Sequence, residues 1–283
     1  MPMEFDLIVP LSPFVFGLNF SATLAGVAFF GIWFAAWLPL AIPLAIRFNW
    51  RPPQPLAMSQ KLPLVASLYA IVPLLLWGMS EVEGVSLSAY GLTLDWSSLR
   101  SVAAGLAIAL GGLGLFFALQ WGLGWIEFNS RRSPSESLTG TILPSLALAL
   151  WIGATEEIVF RGFLLYQLQQ DYSNWIAAAI ASVVFALLHL VWDVGDTLPQ
   201  LPGLVLMGMV LAVAFWVDGS HIALPWGLHA GWIWGIASVD GLEAIRARGT
   251  VSAWITGIDG NPLAGGLGLV LLGLTGMAIA WGG

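Results

Sequence analysis

The stretch Thr155-Glu156-Glu157-Ile158-Val159-Phe160-Arg161-Gly162 places two adjacent carboxylates and an arginine inside an apolar run that extends from Ile142 to Leu168. An ionisable side chain inside a lipid bilayer costs about 3 kcal/mol or more, and it persists only with a partner or in a polar cavity. The purely apolar part, Ile142 to Ala154, is too short to span a bilayer, which requires about 20 residues. We therefore expect one membrane helix to continue through the charged stretch.

The composition of the whole chain is that of a membrane protein. Of its 283 residues, 58% are hydrophobic and only 9% are charged, whereas a soluble domain usually carries about 25% charged residues. The net charge of −7 argues against a nucleic-acid partner, which attracts basic surfaces. The chain has no cysteine, which excludes thiolate catalysis, cysteine-ligated zinc and iron–sulfur clusters. We predict an all-α, integral, multi-pass membrane protein.

Hydrophobic runs of the length of a bilayer crossing recur along the chain. We predict about eight transmembrane helices in a single membrane domain that covers residues 1–283. Basic residues concentrate in the loops after the first, third and seventh runs, with Arg131 and Arg132 in the third, so the positive-inside rule makes the odd-numbered loops cytoplasmic. The predicted runs are Phe20–Ile46, Leu62–Met79, Val102–Ile126, Ile142–Leu168, Asn174–Trp192, Leu201–Val217, Ile222–Ser238 and Leu263–Trp281.

The two adjacent glutamates must point in different directions, since successive helical residues are about 100° apart. Glu157 and Arg161 are spaced i, i+4, which lets them pair within one turn of a helix. We interpret Glu157–Arg161 as a structural ion pair and expect Glu156 to face a cavity, where apolar surroundings suit a carboxylate to general acid–base chemistry. The alternative is that all three charges form one inert network that holds the helices together.

Two of the three histidines, His189 and His229, lie inside predicted spans. His189 ends the sequence Phe185-Ala186-Leu187-Leu188-His189 in the fifth span, and Asp193 follows at i+4, where it could hold the imidazole ring. Two histidines and a glutamate on three different helices indicate a site. The alternative for each histidine is a simple hydrogen bond to a neighbouring helix.

The seventh predicted span carries a stripe of glycines. Gly227, Gly231 and Gly235 are spaced by four residues, which gives one flat helix face for close packing. His229 is two residues from each of the first two glycines, so its side chain points away from that face. We expect this helix to pack through its glycines and to present His229 to another neighbour.

In this combination the residues resemble the CPBP intramembrane proteases, also called the Abi family. That family includes type II CAAX prenyl endopeptidases and bacteriocin-processing or self-immunity proteins. The resemblance rests on Glu156-Glu157-x-x-x-Arg161, on Phe185-x-x-x-His189 and on His229 in a third motif. It covers residues 142–238, which it identifies as a CPBP-like catalytic core, and it implies a CAAX-protease-type bundle with an eight-helix core.

The resemblance also implies roles for the site residues. The first glutamate of the pair, Glu156, activates a water for attack on the scissile carbonyl, and His189 helps to hold that water. Glu157 and Arg161 are structural. The third-motif histidine stabilises the oxyanion together with an Asn or Asp four residues later. His229 matches this pattern, but the position four residues later is Ile233, whose side chain has no hydrogen-bond donor. The loss of one oxyanion donor typically costs about 3 kcal/mol of transition-state stabilisation.

Metal dependence is an open alternative at this stage. Glu156, His189 and His229 are suitable zinc ligands if a metal is bound. Members of the family are described both as metalloproteases and as metal-free, glutamate-dependent enzymes. A zinc hydrolase usually needs a base besides its ligands, and Glu157 is engaged by Arg161. We therefore favour a metal-free mechanism, although we expect the family to be classed among the metalloproteases.

These observations predict an intramembrane endopeptidase that acts on a peptide or a membrane-protein segment at the bilayer: a lipidated C-terminus, a leader peptide or a membrane span. The alternative is a non-proteolytic immunity protein, chaperone or scaffold that binds a membrane-protein partner. Ile233 favours this alternative, as do the rings of Trp192, Trp232 and Trp234 if they contact a partner. A proton-coupled transporter is a third alternative, disfavoured because we see no inverted repeat.

Overall fold

The computed structural model describes residues 21–51, 54, 56–129 and 138–282, and for 14–15, 18–19, 138–141 and 259 it describes the backbone alone. Arg131 and Arg132, which contribute to the predicted topology, lie outside the described residues. Helices account for most of the described chain. They are α1 Ala22–Arg47, α2 Met58–Ala70, α3 Val72–Glu83, α4 Trp96–Gly122, α5 Leu138–Glu157, α6 Leu165–Asp171, α7 Asn174–His189, α8 Val194–Thr197, α9 Leu201–Val217, α10 Ala223–Gly241, α11 Ala253–Thr256 and α12 Gly266–Gly282.

The helices confirm an all-α, multi-pass membrane protein, although the count departs from the predicted eight spans. Within the described ranges, five stretches are long and apolar enough to cross a membrane. Two further apolar helices, α7 and α12, are shorter than a full crossing. The five long stretches are Ala22–Arg47, Met58–Glu83, Trp96–Gly122, Ile142–Asp171 and Val194–Val217.

The helix that carries the charged stretch continues through it, as predicted. Helix α5 ends at Glu157, a π-helical segment follows over Ile158–Leu164, and α6 completes the run to Asp171. Together they form one apolar stretch of 30 residues, Ile142–Asp171. The charged side chains therefore lie inside the span and not in a loop beside it.

The glycine stripe of α10 packs against α4. A Cβ atom placed on Gly227 would lie 2.1 Å from the carbonyl oxygen of Val102, and one on Gly231 would lie 2.6 Å from the Cβ of Ala109. Gly105 of α4 makes the reciprocal approach, 2.4 Å from the carbonyl oxygen of Leu224. Only residues without a side chain allow these backbones to come so close, which confirms the predicted packing face and leaves His229 on another side.

Two loops that were predicted to share one side of the membrane meet in a small sheet. Strand β3, Ile126–Phe128, follows α4 and pairs antiparallel with β4, Ile245–Ala247, which follows α10. Arg248 donates to Glu127 across this pairing at 3.2 Å. The loops after the third and seventh predicted spans therefore lie together, while their assignment to the cytoplasm remains a prediction. The other strand pair is β1, Phe14–Val15, with β2, Leu18–Asn19.

Candidate active site

Glu156 lies at the centre of the site, with one oxygen bonded and the other open. The carboxylate is nearly buried, with 8% of the residue exposed. The hydroxyl of Tyr69, on α2, donates a hydrogen bond to its Oε1. Its Oε2 has no hydrogen-bond partner in the described part of the chain. Instead Oε2 faces two imidazole rings, at 3.6 Å from Nε2 of His229 and 3.9 Å from Nε2 of His189.

His189 is held by the backbone of its own helix. Its Nδ1 lies 2.7 Å from the carbonyl oxygen of Phe185, one turn earlier. A carbonyl oxygen only accepts, so Nδ1 carries a hydrogen and Nε2 of the neutral ring presents a lone pair toward Glu156. The ring also packs edge-on against Phe185 with centroids 4.5 Å apart. The Phe-x-x-x-His motif therefore fixes both the tautomer and the orientation of the ring.

Two expectations about this histidine are corrected. His189 is the last residue of α7, so it lies at a helix end and not well inside a span, and its side chain is 30% exposed. Asp193 does not hold its ring, because the Asp193 carboxylate caps α8 by accepting from the backbone N–H of Asp196. The carbonyl of Phe185 takes the role that was predicted for Asp193.

His229 connects the two glutamates. It is almost fully buried, at 2% exposed, and its Nδ1 lies 2.7 Å from Oε1 of Glu157. A carboxylate only accepts hydrogen bonds, so Nδ1 donates and Nε2 is turned toward Glu156. The predicted convergence of His229 on Glu156 is thus present, and a contact with Glu157 that the sequence did not suggest accompanies it.

Glu157 and Arg161 form the buried pair that their spacing predicts. Arg161 Nη1 lies 2.9 Å from Glu157 Oε1, and Glu157 is fully buried. The guanidinium also donates to the carbonyl of Gly208 on α9 at 3.3 Å and sits 4.6 Å over the ring of Phe185. Buried charges are tolerated when such contacts satisfy them, and removing one partner of a buried pair typically costs about 3–5 kcal/mol.

The π-helical segment begins directly after the two glutamates. Such segments are rare and recur at functional sites, because they insert one extra residue into a turn. Gly162 lies within it, and a Cβ there would come 2.5 Å from the carbonyl oxygen of Tyr90. The lack of a side chain at Gly162 therefore lets this widened turn pack against the segment before α4.

Two cavities meet at Glu156. One has a volume of about 370 Å³ and is bounded by α4, α9, α10 and α12, with Gln200 and Asp240 among its polar lining residues. The other has a volume of about 450 Å³, lies against α1, α2 and α7, and is lined by aromatic rings and by Lys61. Glu156 and His189 line both cavities. We refer to these as the α10 cavity and the α2 cavity.

Ile233 and the three tryptophans for which the sequence suggested a partner contact occupy different positions around these cavities. Ile233 and Trp232 line the α10 cavity, where Ile233 offers only apolar surface beside His229. Trp192 lines the α2 cavity. The indole of Trp234 donates to the carbonyl of Ile142 at 3.1 Å, so this ring serves helix packing.

Tyr69 is the site residue that the sequence analysis missed. It lies in the second predicted span, and 87 residues separate it from Glu156. One signal was available, since the hydroxyl of a tyrosine inside an apolar helix needs a hydrogen-bond partner. That signal does not identify the partner, because the partner is fixed only by how α2 packs against α5.

The site brings together donor atoms of the types that zinc accepts: Nε2 of His189, Nε2 of His229 and Oε2 of Glu156. Two imidazole nitrogens and a carboxylate oxygen are ligand types that zinc accepts, at about 2.0–2.2 Å from the ion. Yet in the part of the chain that the structure covers, no three His, Asp or Glu side chains come together as ligands of one ion. Metal dependence stays a prediction, with Glu156, His189 and His229 as the residues that would hold an ion, and the mechanism below is proposed in its metal-free form.

Comparison with known proteins finds a family model that matches the central part of the chain, over less than half of its length. Residues 138–235 match the family model described as type II CAAX prenyl endopeptidase Rce1-like. This segment includes the two glutamates and both histidines of the site, and the match confirms the family that the motifs indicated. No curated protein and no solved structure matches the chain.

Proposed function

We propose that this chain, a multi-pass membrane protein whose residues 138–235 match the Rce1-like type II CAAX prenyl endopeptidase family model, is an intramembrane endopeptidase. One observation carries the proposal. The Oε2 atom of Glu156 is buried and open, faces the Nε2 atoms of His189 and His229, and lies where two cavities meet. A carboxylate in such a position is suited to activate a water at the bilayer.

The first step is proton transfer from water to Glu156. We expect a water bound at Oε2 to lie within reach of the lone pairs of His189 and His229, one of which orients it by accepting its second hydrogen. Glu156 takes the first hydrogen as general base while the water oxygen attacks the carbonyl carbon of the scissile bond. The protonated carboxyl then gives this proton to the leaving amine, and the C–N bond breaks. Such general acid–base catalysis typically contributes about 10²–10⁴-fold in rate.

Glu157 and Arg161 take a structural role in this mechanism. Oε1 of Glu157 accepts from both Arg161 and His229, so its negative charge is already compensated. It also sets the direction of His229, whose Nε2 would otherwise be free to turn from Glu156. The proposed catalytic core, 142–238, thus contains its own support, and Tyr69 adds a contact from outside it.

The α2 cavity fits an apolar substrate segment. Its wall includes Trp33, Trp37 and Trp192, and it leads to Glu156 and His189. A lipidated peptide or a membrane-protein segment could reach the glutamate there without crossing water. Among these substrates we place prenylated C-termini, leader peptides and membrane spans, all of which present apolar surface.

Turnover by purified protein in liposomes tests the proposal. We expect cleavage of at least one probe from a panel of three internally quenched peptides: a prenylated Cys-aliphatic-aliphatic-X peptide, its unprenylated form and a membrane-spanning peptide. Glu156→Gln should reduce cleavage about 10²-fold or more, since an amide cannot take the proton. Glu127→Gln, which changes a carboxylate on the exposed sheet, serves as the control. Full activity of a folded Glu156→Gln protein, or no cleavage by the wild type, would overturn the proposal.

A second candidate function is a non-proteolytic scaffold or immunity protein. Ile233 favours it, because the lining of the α10 cavity beside His229 lacks the expected donor. A scaffold retains its membrane-protein partner when Glu156 is replaced by Ala. Capture of the same partners by wild type and Glu156→Ala, together with absence of turnover on all three probes, would support this function in place of hydrolysis.

A further inference from the structure

We propose that Tyr69 is a catalytic residue whose hydroxyl donates a hydrogen bond to the oxyanion that forms at the scissile carbonyl. The inference rests on the proposed hydrolysis. It supplies from α2 the donor that Ile233 does not supply from α10. It also assigns a direction to the substrate, whose carbonyl oxygen faces the α2 cavity.

Tyr69 stands at the right place for this role. Its hydroxyl is bonded to Oε1 of Glu156, and the attacking water is bound at Oε2 of the same carboxylate. Tyr69 is buried yet lines the α2 cavity beside Glu156 and His189. A carbonyl carbon that approaches the water from this cavity therefore brings its oxygen past the tyrosine hydroxyl.

The tyrosine is held rigidly by its neighbours. The indole N–H of Trp33 donates to the carbonyl of Leu68, the preceding residue, at 2.9 Å. The rings of Trp33 and Trp151 flank the tyrosine ring with centroids at 6.4 and 6.1 Å. A donor whose ring is fixed in advance stabilises developing charge effectively, because only its O–H group has to turn during the reaction.

Four other donor residues that line the α2 cavity are engaged or distant. The N–H groups of Trp33 and Trp37 are bonded to Leu68 and Ser67. Nδ1 of His189 is bonded to the backbone of its own helix. Lys61 precedes Tyr69 by eight residues on α2, which corresponds to about 12 Å along the helix axis. Tyr69, by contrast, is bonded directly to the reacting carboxylate.

The movement of charge during the step favours a change in the acceptor of the hydrogen bond that Tyr69 donates. Before reaction, Tyr69 donates to the ionised carboxylate of Glu156, which makes a strong, charge-assisted hydrogen bond. When Glu156 takes a proton from water, the water oxygen bonds to the carbonyl carbon and the C=O electron pair moves onto oxygen. The negative charge thus leaves Glu156 and appears on the substrate. The hydroxyl of Tyr69 then turns to the new oxyanion, and it returns to Glu156 when the C–N bond breaks and the amine takes the proton.

A tyrosine that only holds Glu156 would explain the same contact, and the test separates the two roles. The full-length protein in liposomes is titrated with a peptidyl phosphonate, a tetrahedral, anionic analogue of the intermediate. The titration is performed for Glu156→Ala and for Glu156→Ala combined with Tyr69→Phe. Because Glu156 is absent from both proteins, a role that acts only through Glu156 predicts equal affinities. A donor to the oxyanion predicts that the combined variant binds the phosphonate at least about tenfold more weakly.

Turnover supplies the second readout. Tyr69→Phe alone should lower kcat about 10²-fold with KM nearly unchanged, since an oxyanion donor acts mainly in the transition state. Tyr172→Phe, on an exposed ring, is the control, and thermal unfolding verifies that each variant is folded. Equal phosphonate affinity in the two Glu156→Ala proteins would overturn the inference while leaving hydrolysis intact. Absence of cleavage by the wild type would instead overturn hydrolysis itself, and full turnover by Glu156→Gln would overturn Glu156 as the general base.

Discussion

Glu156 and Glu157 are adjacent in the sequence, but they belong to two different regions of the molecule. Glu157 is fully buried and is not among the lining residues of either cavity; its Oε1 accepts from Arg161 and His229, and its Oε2 has no hydrogen-bond partner among the described residues. Glu156 faces the two cavities, with Tyr69 on one oxygen and the other oxygen open toward both histidines. Both carboxylates keep an unbonded Oε2, so the difference lies in their surroundings: the carboxylate paired with Arg161 supports the fold, and the carboxylate that lines the cavities is available for chemistry.

The largest effect should follow from removing the compensated carboxylate. Glu157→Ala leaves the guanidinium of Arg161 buried without its partner and releases Nδ1 of His229. We expect a loss of about 3–5 kcal/mol in the free energy of unfolding, measured by denaturant titration in detergent micelles. Glu127→Ala, which breaks an exposed ion pair with Arg248, should lose no more than about 1 kcal/mol. Similar losses of unfolding free energy in both variants would mean that the buried Glu157–Arg161 pair does not stabilise the fold more than an exposed ion pair does.

The two histidines should differ in the same way as the two glutamates: His189 should affect turnover alone, and His229 should affect both turnover and stability. His189 is part-exposed and touches Glu156, whereas His229 is buried and touches both glutamates. His189→Gln should lower turnover about 10²-fold and leave the unfolding midpoint close to that of wild type. His229→Gln should lower both quantities. Equal destabilisation by the two changes would remove the distinction between the regions.

The close packing of α10 on α4 should matter because it positions His229. Gly227→Ala places a methyl group against the Val102 carbonyl, and we expect a loss of about 1–3 kcal/mol of stability through overpacking. Gly114→Ala, on α4 where no atom lies within 4 Å of the added methyl, is the matched control and should be tolerated. Unfolding midpoints of both variants provide the measurement, and equal midpoints would contradict the packing argument.

The smallest effect concerns a carboxylate far from both regions. Asp95 caps α4, and hydrogen bonds from Ser97 and Ser98 lower its pKa to about 2. Because this pKa lies below that of an unfolded carboxyl, about 3.9, the stabilisation is present at neutral pH and is lost as pH falls through that range. Asp95→Ala should therefore remove a slight stabilisation near neutrality and flatten the acid limb of the stability profile. Turnover near neutral pH should not change.

The sequence is sufficient for the local parts of this arrangement. The i, i+4 spacing of Glu157 and Arg161 predicts their ion pair, and the glycines of α10 predict its packing face, because both depend on helix periodicity alone. The shortness of the apolar run before Glu156 predicts that the charges lie inside a span. Even the absence of a donor at Ile233 is visible in the sequence.

The long-range contacts could not be predicted. Tyr69 reaches Glu156 only through the packing of α2 on α5, and no periodicity reports that packing. Nδ1 of His229 bonds to Glu157 because α10 lies at one particular height on α5. Asp193 appeared suited to hold His189 at i+4, but α7 ends at His189 and Asp193 caps the next helix. Helix ends are set by such capping competition, which spacing alone does not reveal.

The division between the two glutamates can be tested most directly by a paired measurement on Glu156→Gln in liposomes: turnover of the best-cleaved quenched peptide and the free energy of unfolding of the same preparation. The account predicts that turnover falls about 10²-fold or more while the free energy of unfolding changes by less than about 1 kcal/mol. Unchanged turnover, or a loss of turnover explained by an equally large loss of folded protein, would contradict it.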